Sequence, residues 1–125
     1  MKEIIIVAGE NRSNVTRLRH CLRDENYSSI LCETVEEIIE ELGILPTCSV
    51  YVPLVLIESE ILKNISDELI NRLSECAPEV PFILLGEQNS PETFEQICAH
   101  RSKFEWEGNL LANVLEGTGV ELTCG

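Results

Sequence analysis

Short unbroken apolar runs alternate along the chain with stretches whose apolar residues recur every three or four positions. The first run, IIIVA from Ile4 to Ala8, predicts a strand buried on both faces. Val15, Leu18, Cys21 and Leu22 then fall on one side of a helix. YSSILCE reads as a second, weaker strand. TVEEIIEELG is the clearest helix: Thr34 and Glu37 form a capping box, and Val35, Ile38, Ile39 and Leu42 make its apolar stripe. Gly43 is expected to end that helix, with Pro46 just beyond. YVPLVLI is a third strand, its ordered part starting near Leu54 because of Pro53.

The pattern continues in the second half. SDELINRLSECA predicts a helix capped by Ser66, with Asp67 and Glu68 set against the helix dipole. Leu69, Ile70, Leu73, Cys76 and Ala77 line its inner side. VPFILLGE is a fourth buried strand. SPETFEQICAH opens a helix with Ser90 at the cap and Pro91 at the first helical position. KFEWE reads as a short fifth strand, and Leu110, Leu111, Val114 and Leu115 mark a last helix. The final GTGVELTCG has no clear period and reads as a fraying tail or the start of a linker.

Strands that alternate with helices, mostly apolar throughout, imply a parallel sheet covered on both faces. The fold class expected is therefore α/β: a doubly wound, flavodoxin-like sheet of five parallel strands in the order 2-1-3-4-5. Residues 1–116 make one domain and 117–125 the tail. The chain has 125 residues, enough to bury a real core.

Charge narrows the choice of partners. Nine basic side chains face 22 acidic ones, a formal net charge of −13. Such a surface repels phosphate backbones and anionic lipid, so no direct nucleic-acid or membrane binding is expected. Arg12, Arg17, Arg19 and Arg23 gather in the first helix, where a solvated face is favoured over a phosphate-binding patch. No apolar run approaches the roughly 20 residues of a membrane span, and MKEIIIVAGE lacks a cleavage signal. A cytoplasmic location is expected.

Six cysteines (Cys21, Cys32, Cys48, Cys76, Cys98 and Cys124) contain no CxxC pair, and His20 and His100 lack zinc spacing. Reduced, largely buried thiols are expected. AGENRSN, after the first strand, matches neither GxGxxG nor the P-loop, and GxSxG is absent. What remains is a set of acidic strand tips: Glu10 after strand one, Glu58 after strand three, Glu87 after Gly86 on strand four, and Glu105 to Glu107 near strand five. Carboxylates on adjacent loops can hold Mg²⁺. Solvation of an acidic protein's loops explains them more simply, so no metal and no cofactor is expected.

This order of elements, with PLVLIE placing an acid at the third strand tip and DELINRL following at receiver spacing, resembles the receiver (CheY-like) domains of response regulators. The resemblance spans Lys2 to about Leu115. It implies that Glu58 stands at the phosphoacceptor aspartate, and that Gly9 and Glu10 match the paired metal-binding acids. Gly86 matches the switch hydroxyl, and EWEG replaces the lysine–proline of strand five. VPFILLGE is also similar to the N-terminal domains of sigma-54-type transcription activators. The function implied is a non-catalytic pseudo-receiver in two-component signalling, working by contact with a protein partner or by self-association. That contact is expected through Ser90 to Leu115, with Trp106 as a possible interface residue. The alternatives are a receiver still holding Mg²⁺ through Glu10 and Glu58, and a small enzyme of unrecognised chemistry.

Overall fold

A computed structural model describes residues 2–85, 92–98 and 122–124 of the chain. Its strands are β1 (Lys2–Glu3), β2 (Ile5–Ala8), β3 (Ser29–Cys32), β4 (Val50–Tyr51), β5 (Val55–Glu58), β6 (Phe82–Leu85) and β7 (Leu122–Cys124). Its helices are α1 (Arg12–Asp24), α2 (Val35–Ile44), α3 (Asp67–Glu75) and α4 (Glu92–Cys98). The strands β3, β2, β5 and β6 lie side by side in that order, all parallel. Counting the long strands along the chain, this is the expected 2-1-3-4 order.

The fifth position departs from expectation. KFEWE lies outside the described residues, and the edge beside β6 is occupied by β7, which runs antiparallel with Leu122 opposite Leu85. Part of the stretch expected to be a tail is therefore a strand. Its signal was a single alternation, Val120–Leu122, too short to stand out from a loop.

Side chains alternate across the sheet with period two, which builds two cores. Ile6, Ala8, Val55, Ile57, Phe82 and Leu84 face one way, into a buried cluster with residues of α2, α3 and α4. Ile5, Val7, Leu54, Leu56, Ile83 and Leu85 face the other way, against Val15, Leu18 and Leu22 of α1. Both faces of the central strands are buried, which is why those strands read as unbroken apolar runs.

Local boundaries differ where glycine and proline were read as stops. Gly43 lies inside α2, which runs on to Ile44 before Leu45–Cys48 tightens into a 3₁₀ turn. Pro46 sits in the first turn of that segment, where its missing N–H costs nothing, and Ser49 closes it at φ 61°. Pro53 splits YVPLVLI into two strands. β4 pairs with β1, and β5 begins only at Val55. Caps behave closer to expectation. The Ser66 side chain accepts from the Leu69 N–H, and Thr34 Oγ1 accepts from the Glu37 N–H at 3.2 Å. The Glu37 carboxylate reaches one residue further than a reciprocal box, accepting from the Glu33 N–H at 2.7 Å.

Candidate functional site

Parallel strands end together, and the carboxyl ends of β2 and β5 bring Ala8 and Ile57 into register. Gly9 continues the ladder, its N–H donating to the Cys32 carbonyl at 3.0 Å. One residue past this point on β5 stands Glu58, half-buried. The chain then turns at Asn11 into α1. The Asn11 side chain caps the helix by accepting from the Asn14 N–H at 3.2 Å.

Glu58 does not project freely from its strand. Its carboxylate lies over the Cα of Gly9, so closely that a Cβ at position 9 would come within 2.6 Å of Cδ and 2.7 Å of Cγ. The Asn11 backbone N–H donates to Glu58 Oε1 at 3.4 Å, a long bond. Gly9 is thus a matter of space here: the longer acid on β5 occupies the volume that a side chain on the β2 tip would need.

Burial is the main influence on the Glu58 proton and pushes its carboxyl above the usual glutamate range; Glu60 and Glu10 push the same way. The Asn11 N–H and the Asn14 side chain act in opposition. The folded chain therefore binds this proton more tightly than the unfolded chain does. Stability contributed by Glu58 falls as pH rises from the ordinary carboxylate range through its own titration, and stays lower above it. Glu58→Gln keeps the acceptor and removes the charge. The variant is expected to melt slightly higher than the native chain at pH 7, with the advantage shrinking in acid, where Glu58 is protonated in both states. A lower melting temperature at neutral pH would show that the charge itself is stabilising.

The other expected site residues divide sharply. Gly9 and Glu58 are in contact, while Glu10 is exposed and acts on Glu58 only through its charge. Gly86, Glu87, Glu105 to Glu107 and Trp106 lie outside the described residues. Of Ser90 to Leu115 only α4 is described, and its Phe94 and Ile97 are buried in the core. Asn11 and Asn14 were missed; an asparagine just ahead of an amphipathic stretch is the signal that marks such a cap.

The Mg²⁺ that the receiver resemblance implies does not fit these residues. Gly9 offers no side-chain ligand, and Glu58 is packed against it. Among the described residues no group of three potential ligands converges. Mg²⁺ needs near-octahedral oxygen coordination, which two loosely related carboxylates do not supply.

Cysteine chemistry lies elsewhere. Cys21, Cys32, Cys48 and Cys76 are free thiols, as expected for them; Cys32 is buried, Cys48 exposed and the other two half-buried. No described helix is long and apolar enough to cross a membrane.

No family model matches the chain, and no curated protein matches it. Solved structures do. The receiver domain of NtrC4 from Aquifex aeolicus is 19% identical, with a TM-score of 0.56, covering 93% of this chain and 98% of that one. A fusion protein carrying a trimeric coiled-coil segment of yeast Spc42 is 16% identical, with a TM-score of 0.61, covering 94% of this chain and 77% of that one. At these identities the likeness concerns architecture: the chain has a receiver-like α/β fold.

Proposed function

We propose that this chain is a pseudo-receiver: a non-catalytic signalling module that keeps the receiver fold and works by protein–protein contact without aspartyl phosphorylation. One observation carries the reading. The acid at the phosphoacceptor position is folded back over a glycine where a metal-binding acid would be, and it accepts a backbone hydrogen bond. Phosphoryl transfer is catalysed mainly by positioning and by charge stabilisation. A glutamate carries its oxygens one C–C bond, about 1.5 Å, further than an aspartate. Misplacement of order 1 Å can cost about a hundredfold in rate. The fold shared with the NtrC4 receiver domain supports a receiver-type module, and the setting proposed for it is two-component signalling and transcription control. The contact surface proposed runs from Ser90 to Leu115, used by a protein partner or a second copy.

The test is incubation with acetyl phosphate and Mg²⁺, followed by intact mass, with calorimetric titration of the metal. The mass should stay unmodified and no micromolar Mg²⁺ binding should appear. A phosphoryl adduct on Glu58, or tight Mg²⁺ binding abolished by Glu58→Ala, would overturn the reading in favour of a working switch.

A further inference from the structure

The arginines of α1 do not form one solvated face. Arg12 is drawn to Glu33, Nη2 to Oε1 at 3.2 Å, near the Glu58 end of the helix. Thr16, Arg19, His20 and Arg23 follow at the i, i+3, i+4, i+7 spacing of a single helical stripe. They line a cavity of about 360 Å³, closed on its other side by the stretch from Tyr27 to Ser29 at the start of β3. The 11 steps from Arg12 to Arg23 span about 17 Å at 1.5 Å per residue, so this cavity sits at the opposite end of the sheet from Glu58.

Its cations are held by neutral partners. Arg19 Nε donates to Ser29 Oγ at 3.2 Å and its Nη2 to the Ser29 carbonyl at 3.1 Å. Arg23 Nη2 lies 2.8 Å from His20 Nδ1, and arginine can only be the donor. Neither guanidinium has an ion-pair partner among the described residues, in a chain with 22 acidic side chains. Each of these bonds also leaves donors over. Ser29 Oγ accepts from Arg19, so its own hydrogen is free to be given. His20 Nδ1 accepts from Arg23, so in the neutral ring the hydrogen is on Nε2. A guanidinium has five N–H donors, and Arg19 and Arg23 use two and one respectively in these bonds. The wall is rich in uncommitted donors, and its two guanidinium groups have no carboxylate within ion-pair distance among the described residues. A neighbouring cavity of about 300 Å³ shares Tyr27 and Ser28 with it and is lined by Lys2 and Glu3 as well.

We infer that this groove binds a phosphate group, free or as a small monoester, between Arg19, Arg23 and His20. A dianion whose oxygens only accept matches a wall of donors, and charge-assisted forked contacts to phosphate are the strong kind. Orientation by Ser29 and His20 reduces the ordering cost of both arginines on binding. The inference is independent of how Glu58 behaves.

The test is amide NMR titration of the full chain with inorganic phosphate and, separately, with AMP. Saturable shifts should centre on Thr16, Arg19, His20, Arg23 and Ser29. Equal affinity for the two probes would point to the free ion, and tighter AMP binding to a monoester reaching past Tyr27; both support the site. Arg23→Gln, at an exposed position, should weaken binding about tenfold, the scale of one lost charge-assisted bond. Arg17→Gln removes the same charge from the same helix outside the cavity and should change affinity less than about twofold. Absence of shifts with both probes up to about 10 mM, about tenfold above a millimolar Kd, would overturn the inference. An equal loss in Arg17→Gln would also overturn it, because the attraction would then be diffuse.

Discussion

Alkylated in its native state at pH 8, the chain is expected to lose Cys48 first and Cys32 last among its four described thiols, Cys21, Cys32, Cys48 and Cys76, at rates separated by roughly three orders of magnitude. Cys32 ends β3 under α2, 1% exposed. Burial pushes its thiol up to about 12, and Glu37, Glu41 and Glu40 of α2 add to that in turn. Only the thiolate attacks. At pH 8 a group titrating near 12 is ionised about once in ten thousand, against roughly a quarter for a thiol near the ordinary 8.5. Labelling therefore has to pass through local or global opening. In the opened chain the thiol regains its ordinary acidity, so the opening equilibrium sets the rate: a stability of about 5 kcal/mol suppresses labelling by more than about three orders of magnitude. Cys48 sits exposed in the 3₁₀ turn and needs no opening. Mass spectrometry of peptides after timed quenching checks the order. Comparable rates at the two positions would mean that α2 does not cover β3 in solution. The same shift has a consequence in alkali. The unfolded chain loses this proton near 9 and the folded chain only near 12, so Cys32 lowers stability as pH rises through that window.

The fold was legible where one physical signal dominated. Ile5–Ala8, Val55–Ile57 and Phe82–Leu85 are apolar on both faces because α1 covers one side of the sheet and α2, α3 and α4 the other. Period and caps placed α2 and α3 within a residue or two, and period alone marked α1, without its bounds. The misreadings have a common cause. Gly43 and Pro46 are poor helix residues, but Ile38 and Leu42 bury enough surface to carry α2 past the glycine, and the proline falls in a first turn. Leu122–Cys124 is too short for any periodic signal, and only its pairing with β6 makes it a strand.

The candidate site was legible in its members and illegible in its geometry. Spacing put Glu58 and Gly9 at neighbouring strand tips. That the glutamate folds onto the glycine depends on register, Ala8 opposite Ile57, which a sequence does not display. The arginine groove was harder still. Arg19 meets Ser29 ten residues away across a turn closed by Asn26 at φ 68°, and the absence of acidic partners appears only in three dimensions. Read as a helix face alone, Arg12, Arg19 and Arg23 are equivalent; folded, one is paired and two are not.

Phe82→Ala is expected to cost about 3–5 kcal/mol, the largest stability loss of any single truncation at β6. Phe82 opens β6 opposite Val55, 1% exposed, and belongs to the cluster that contains Leu73 of α3 and Phe94 and Ile97 of α4. It is one of the two largest fully buried side chains among the described residues, so its removal leaves a cavity that neighbours on three elements would have to close. A domain of this size has roughly 5–15 kcal/mol in total, so the variant should sit near the edge of folding. Urea unfolding should show a midpoint lowered by roughly 2 M with an unchanged slope. Tyr51→Ala supplies the contrast: Tyr51 is 51% exposed on the short strand β4, and its loss should stay within about 0.5 kcal/mol. If Phe82→Ala cost less than about 1 kcal/mol, β6 would not be seated between the central strand and the α3–α4 pair. The receiver-like order of the sheet would then fail at the strand whose tip, in a working receiver, answers phosphorylation.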